Sequence, residues 1–184
     1  VEAYYNLGIT LQELGQLDKA VESYNKALAI KLDYAEAYSN LGIALQELGK
    51  LDEAVASYNK AINFKPDYVE AYSNIGNVFK ILGRSDEALT SYNKALAINP
   101  DYAEAHNNLG NTFKDLGQLD EAVVSYKKAL AIKPDYHETN FNLGTLLYEN
   151  RKYKKALEKF KLSDFEESKS YLLKCLYEQD EKSL

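Results

Sequence analysis

The sequence predicts an all-α solenoid, built from five stacked pairs of antiparallel helices and a closing helix. Three observations carry this. First, the string Tyr38-Ser39-Asn40-Leu41-Gly42 returns 34 residues later as Tyr72-Ser73-Asn74-Ile75-Gly76, and again as His106-Asn107-Asn108-Leu109-Gly110. Second, apolar and small residues inside each block recur at steps of three and four, which makes a helical stripe. Third, Gly and Pro punctuate the blocks at fixed places. One helix pair of this size cannot bury its apolar face alone, so the units must stack.

The units are 1–34, 35–68, 69–102 and 103–136, with a diverged fifth at 137–168. Blocks 35–68 and 69–102 agree at about 19 of 34 positions. Within a unit, numbered 1 to 34, the first helix carries its stripe at positions 4, 7, 8, 11 and 14. In the second unit these are Tyr38, Leu41, Gly42, Leu45 and Leu48. Gly15, Gly49, Gly83 and Gly117 end that helix, because a left-handed residue costs least as Gly. Asp18, Asp52, Asp86 and Asp120 are expected to cap the second helix. Its stripe is Ala54, Val55, Tyr58, Ala61 and Ile62 in the second unit. Pro66, Pro100 and Pro134 stop it. Asp33-x-x-Glu36, Asp67-x-x-Glu70, Asp101-x-x-Glu104 and Asp135-x-x-Glu138 read as capping boxes for the next unit. Gly at position 8 and Ala at positions 20 and 27 are expected to let the two backbones approach closely.

Residues 169–184 match the repeat poorly and read as a capping helix, regular from Ser168 to about Asp180. Tyr171, Leu172, Cys175 and Leu176 are expected to cover the fifth unit. Lys169, Lys174, Glu178 and Glu181 are expected to face water.

The period of 34 combines with an aromatic-x-x-Leu-Gly start, Gly at position 15, Ala at 20, Tyr at 24, Ala at 27 and Pro at 32. The third unit shows the set as Tyr72, Ile75, Gly76, Gly83, Ala88, Tyr92, Ala95 and Pro100. This pattern resembles the tetratricopeptide repeat over nearly the whole chain. The resemblance implies a right-handed superhelix whose first helices line a concave groove that binds peptides or other proteins. Some positions depart from it. The family's Trp at position 4 is Tyr4, Tyr38, Tyr72, His106 and Asn140 here, Leu32 replaces the first Pro, and the fifth unit has Arg151 and Ser163 where Gly and Ala are usual.

Composition narrows the function classes. The chain has 184 residues, 22 Lys+Arg against 28 Asp+Glu, and a net charge of −6. An acidic balance argues against nucleic-acid binding, which needs clustered cations. The cations Arg151, Lys152, Lys154, Lys155, Lys159 and Lys161 are followed at once by Asp164, Glu166 and Glu167. One Cys makes no internal disulfide, and His106 and His137 lack metal-ligand spacing. No cofactor is expected. No apolar run approaches the roughly 18 residues of a membrane span, and no leader opens the chain, so a cytoplasmic location is expected. With no Met, the chain reads as a segment of something longer or a processed product. Eleven of its 16 Tyr fall at positions 4, 24 and 34, so the Tyr excess is the repeat itself.

The candidate binding residues lie on the first helices. Positions 2, 6, 9 and 13 form a stripe beside the packed one. Position 6 is Asn in every unit: Asn6, Asn40, Asn74, Asn108 and Asn142. An Asn amide can pair with both C=O and N–H of a peptide backbone. Adjacent helices about 10 Å apart would meet every third residue of an extended chain rising about 3.3 Å per residue. The alternative is that these Asn bond between adjacent helices. Retention of Asn142 in the diverged unit favours the ladder, whereas Asn25, Asn59 and Asn93 give way to Lys127 and Lys161. Asn77, Asn111, Lys80 and Lys114 would make the middle of the groove polar and basic.

The row resembles the asparagine ladder in the tetratricopeptide region of the O-linked N-acetylglucosamine transferases, which holds extended peptides. The basic clamp of chaperone-binding relatives is absent, since position 2 is Glu throughout. No nucleophile–base pair, phosphate loop or converging carboxylate pair is present, so the chain is expected to be a non-enzymatic, protein- or peptide-binding module. The alternatives are a substrate-recruiting arm of a larger enzyme such as a glycosyltransferase, and a structural spacer. Homo-oligomers through exposed terminal faces are a further expectation.

Overall fold

The computed structural model describes residues 1–180, and every regular element among them is an α-helix. The helices are α1 (Glu2–Glu13), α2 (Leu17–Ile30), α3 (Ala35–Glu47), α4 (Leu51–Phe64), α5 (Val69–Ile81), α6 (Ser85–Ile98), α7 (Ala103–Asp115), α8 (Leu119–Ile132), α9 (His137–Glu149), α10 (Tyr153–Phe160) and α11 (Glu166–Asp180). They fall into two compact units, Val1–Pro100 with α1–α6 and Asp101 onward with α7–α11. Glu181, expected to face water, lies outside the described residues.

In every repeat the first helix turns into the second through one hairpin. In the second repeat Leu48 is the last right-handed residue and Gly49 has φ 74°. The Gly49 N–H donates to the Gln46 carbonyl at 2.9 Å and the Lys50 N–H to the Leu45 carbonyl at 2.9 Å. This paired closure satisfies two orphan carbonyls of the helix end. The fifth repeat makes the same closure without glycine. Arg151 takes φ 56°, its N–H donates to Tyr148 and that of Lys152 to Leu147. The diverged hairpin thus keeps its shape at a backbone cost of roughly 1–2 kcal/mol.

The expected caps are corrected. The second helices begin at Leu17, Leu51, Ser85 and Leu119, so Asp18, Asp52, Asp86 and Asp120 lie inside the first turn. The cap residues are Gln16, Lys50, Arg84 and Gln118, without side-chain cap bonds. The Schellman-type hairpin uses the residue after Gly49 to close α3, so Lys50 also starts α4. The Asp carboxylates act through the helix dipole instead, worth about 0.3–1 kcal/mol each. The capping boxes fail likewise. Tyr34, Tyr68, Tyr102 and Tyr136 precede α3, α5, α7 and α9, again without side-chain cap bonds. This places Glu36, Glu70, Glu104 and Glu138 one position too early to reach back. Glu36 meets Lys65 at 3.3 Å, and Glu138 accepts a bond from Asn107 at 3.0 Å.

The position-8 glycines make room for an aromatic ring rather than for the second backbone that was expected there. Tyr24, Tyr58, Tyr92 and Tyr126 are fully buried and pack against position 8 of their own repeats. A Cβ on Gly42 would sit 2.6 Å from Tyr58 Cε1, and one on Gly144 would sit 2.7 Å from Phe160 Cε1. Leu32 replaces Pro while Lys31 and Lys65 keep similar backbone angles, but the joint's turn bond changes: Tyr68 N–H donates to the Lys65 carbonyl, whereas in the first repeat Ala35 N–H donates to that of Asp33.

Within the first unit α2 packs on α3 and α4 on α5; within the second, α8 packs on α9 and α10 on α11. Helix α10 has eight residues and stops at Phe160, so Ser163 lies beyond it and the expected position-27 packing is not made. Helix α11 begins at Glu166, earlier than expected. Tyr171 stacks on Phe160 at 4.9 Å and Cys175 is fully buried, but Leu176 is 47% exposed and does not cover the fifth repeat. Lys169 and Lys174 are exposed as expected, whereas Glu178 is half-buried.

Candidate functional site

The stripe of positions 6, 9, 12 and 13 is built from the position-24 tyrosines outward. Each buried ring reaches past its glycine, so its hydroxyl emerges on the first-helix face. Tyr24 donates to Gln12 Oε1 at 3.0 Å and Tyr58 to Gln46 Oε1 at 3.2 Å. In the next two repeats the partner changes position: Tyr92 donates to Asn77 Oδ1 at 2.8 Å and Tyr126 to Asn111 Oδ1 at 2.7 Å. Asn77 and Asn111, singled out as groove residues, therefore have their carbonyl oxygens committed to a buried phenol. Burial pushes Tyr24, Tyr58 and Tyr126 well above the ordinary phenol range, keeping them protonated donors.

The position-6 asparagines bond across repeats at two places. Asn40 Nδ2 donates to the Tyr5 hydroxyl at 3.0 Å. Asn142 Nδ2 donates to Asn111 Oδ1 at 3.0 Å and Asn107 Oδ1 at 3.3 Å. Asn107 is fully buried and also accepts the Thr139 hydroxyl at 2.9 Å. At these two places the structure shows the asparagines in the cross-repeat bonding that was the alternative to a ladder. Their amide donors serve the repeat interface, while Oδ1 of Asn40 and Asn142 accepts no hydrogen bond among the described residues.

The remaining candidates keep the faces the period assigns. Asn6 is exposed on α1, and Asn74 and Asn108 are half-buried on α5 and α7. Lys80 and Lys114 are half-buried, and Lys114 reaches Glu149 at 3.9 Å. Helix–helix coupling at the same two positions recurs in the first unit, where Gln12 Nε2 donates to Glu47 Oε1 at 2.9 Å. A cleft of about 360 Å³ opens between α1 and α3, lined by Ile9, Gln12, Glu13, Tyr24, Asn40, Ile43 and Glu47.

Two participants escape a reading by residue position. Tyr5 and Asn107 occupy position 5, which is Ser39, Ser73 and Phe141 elsewhere, so no recurrence flags them. Glu47 lies at position 13 of the expected stripe, which is Glu13, Ile81, Asp115 and Glu149 in the other repeats. His137, which lacks metal-ligand spacing in the sequence, has Nδ1 3.0 Å from the Leu162 carbonyl oxygen and Nε2 3.5 Å from Asp164. No described helix is long and apolar enough to cross a membrane.

No curated protein matches the chain in sequence. Among solved structures it is similar to PilF of Pseudomonas aeruginosa, at 22% identity and a TM-score of 0.85 over 97% of this chain and 85% of that one. It is also similar to TTC0263, a thermophilic TPR protein of Thermus thermophilus, at 23% identity and a TM-score of 0.77 over 96% and 98%. YrrB, described as a TPR protein with an unusual peptide-binding site, matches at 23% identity and a TM-score of 0.66 over 98% and 91%. At these identities the likeness establishes the fold. The TPR repeat family pattern matches residues 10–49, 47–83, 76–117 and 110–150. With a 34-residue period and one hairpin geometry repeated in every unit, the chain belongs to the tetratricopeptide-repeat family.

Proposed function

We propose that the chain is a non-catalytic scaffold that holds an extended polypeptide segment along its first helices, through the position-6 asparagines. One observation carries the reading. Asn40 and Asn142 are fixed by bonds to the preceding repeat, and their Oδ1 atoms keep acceptor capacity. A side chain held in one rotamer loses little entropy on binding, so an accepted main-chain N–H retains more of its value. Each such bond contributes about 0.5–1.5 kcal/mol net, which matters only in series. The row stands at the position of the ladder in the glycosyltransferase arms, and the description of YrrB as peptide-binding agrees with it.

The test is binding of a blocked, random nonapeptide library to the parent protein and to the combined Asn40→Ala, Asn74→Ala and Asn108→Ala variant. A tenfold or greater loss is expected, with a circular-dichroism melt that stays cooperative and a midpoint well above the assay temperature. Equal binding by both proteins refutes the row.

A further inference from the structure

The cleft between α1 and α3 combines two features that rarely serve the same ligand group. Ile9 and Ile43 make an apolar floor, and Glu13 and Glu47 stand exposed at its rim. No lysine or arginine lines it, and no ion pair to either carboxylate occurs among the described residues. Glu47 takes only a neutral amide bond, from Gln12 at 2.9 Å. Both carboxylates raise the titration of the Tyr24 phenol, after burial and Tyr5, so their fields converge on the cleft.

The compact unit from Asp101 onward holds an internal comparison. There the residue equivalent to Gln12 is Lys114, and its ammonium lies 3.9 Å from Glu149, the equivalent of Glu47. A cation belonging to the protein partly neutralises that site, where Asn111 and Thr145 replace the two isoleucines. In the α1–α3 cleft the same carboxylate position has no resident cation, and its floor is aliphatic.

We propose that this cleft receives the side chain of a Lys or Arg in the bound polypeptide, and so sets the sequence preference of a groove that otherwise grips main chain. Long basic side chains lay an apolar stem on hydrocarbon while keeping the charged head at a polar rim. The stem lies on Ile9 and Ile43, and the cation sits between Glu13 and Glu47. Asn40, which lines the same cleft, holds the adjoining main chain. This inference rests on the peptide-binding reading above.

The test uses blocked nonapeptide libraries with one central residue set as Lys, Arg, norleucine or Glu and the rest randomised. Norleucine keeps the stem and removes the charge. Two partly solvated ion pairs predict a preference of about fivefold for Lys over norleucine, and a further loss for Glu. In the Glu13→Gln/Glu47→Gln variant that ratio falls to about one; in Glu13→Lys/Glu47→Lys the order of Lys and Glu reverses. Circular-dichroism melts report the fold of each variant. Libraries that bind in an Asn40-, Asn74- and Asn108-dependent way with no Lys or Arg preference overturn this inference and leave the main-chain reading standing. Absence of binding by every library overturns both. A Lys preference that persists in the double Gln variant also overturns the assignment to these carboxylates.

Discussion

Substituting Gly76 by Ala sets two opposed effects against each other. In a helix interior Ala is more favourable than Gly by about 0.8–1 kcal/mol. Packing opposes this at Gly76. The new Cβ would lie 2.5 Å from Tyr92 Cε1 and 2.8 Å from Cδ1 and Cζ, against an ordinary contact of about 3.5–4.0 Å. The ring must therefore retreat by about 1 Å. It is fully buried, and its hydroxyl is tied to Asn77 at 2.8 Å, so retreat strains the core and breaks a bond. Overpacking of this kind costs about 1–3 kcal/mol. Gly76→Ala is expected to destabilise by about 1–2 kcal/mol net, read as a lower urea midpoint by far-ultraviolet circular dichroism. In a Tyr92→Leu background the ring is gone and the helix preference of Ala reappears. There the same substitution is expected to be neutral or stabilising by up to about 1 kcal/mol. The coupling of about 2 kcal/mol exceeds the 0.3–0.5 kcal/mol within which independent sites add. A stabilising Gly76→Ala in the parent, or an equal effect in both backgrounds, refutes the reasoning.

Arg151→Gly should raise stability by about 1 kcal/mol, because the residue is exposed and sits at φ 56°; a lower urea midpoint would show the left-handed turn to be unstrained. Asn142→Ala removes the bonds to Asn107 and Asn111, which keep Thr139 and Tyr126 as partners, and should cost about 1 kcal/mol. A change under about 0.3 kcal/mol in the same assay would count against the cross-repeat bond as a stabilising feature. Alkali should unfold the protein cooperatively. Burial raises Tyr24, Tyr58 and Tyr126 and pushes Tyr136 up to about 12, above the unfolded value near 10. A raised folded value contributes stability below about pH 10 and loses it as pH climbs towards the folded value. Phenolate absorbance near 295 nm should rise in two stages, the later one coinciding with loss of helix. A single titration near pH 10 with the fold intact would refute the burial argument.

The helical repeat was legible because its determinants are local. A residue's neighbours three and four positions away decide whether a stripe forms, and Gly49 signals a left-handed turn wherever it lies. Tyr58 and Gly42 are also readable as partners, since both recur in register. The caps were misread for a reason equally local. An Asp two residues inside a helix resembles a cap in sequence, and only the backbone angles at Lys50 separate the two. Asn142 shows the limit most clearly. Its recurrence marked position 6, yet its donors meet Asn111 and Asn107, residues 31 and 35 positions away.

The sequence by itself determined the period, the helices, the turns and the faces they present. The tertiary structure alone decided which polar atoms bond between helices and which keep no partner. Bonds between repeats depend on the angle and offset at which one helix pair settles on the next, and no three- or four-residue spacing encodes these. The Tyr24 hydroxyl and the Glu47 carboxylate meet Gln12, and the amide of Asn40 meets Tyr5, only there.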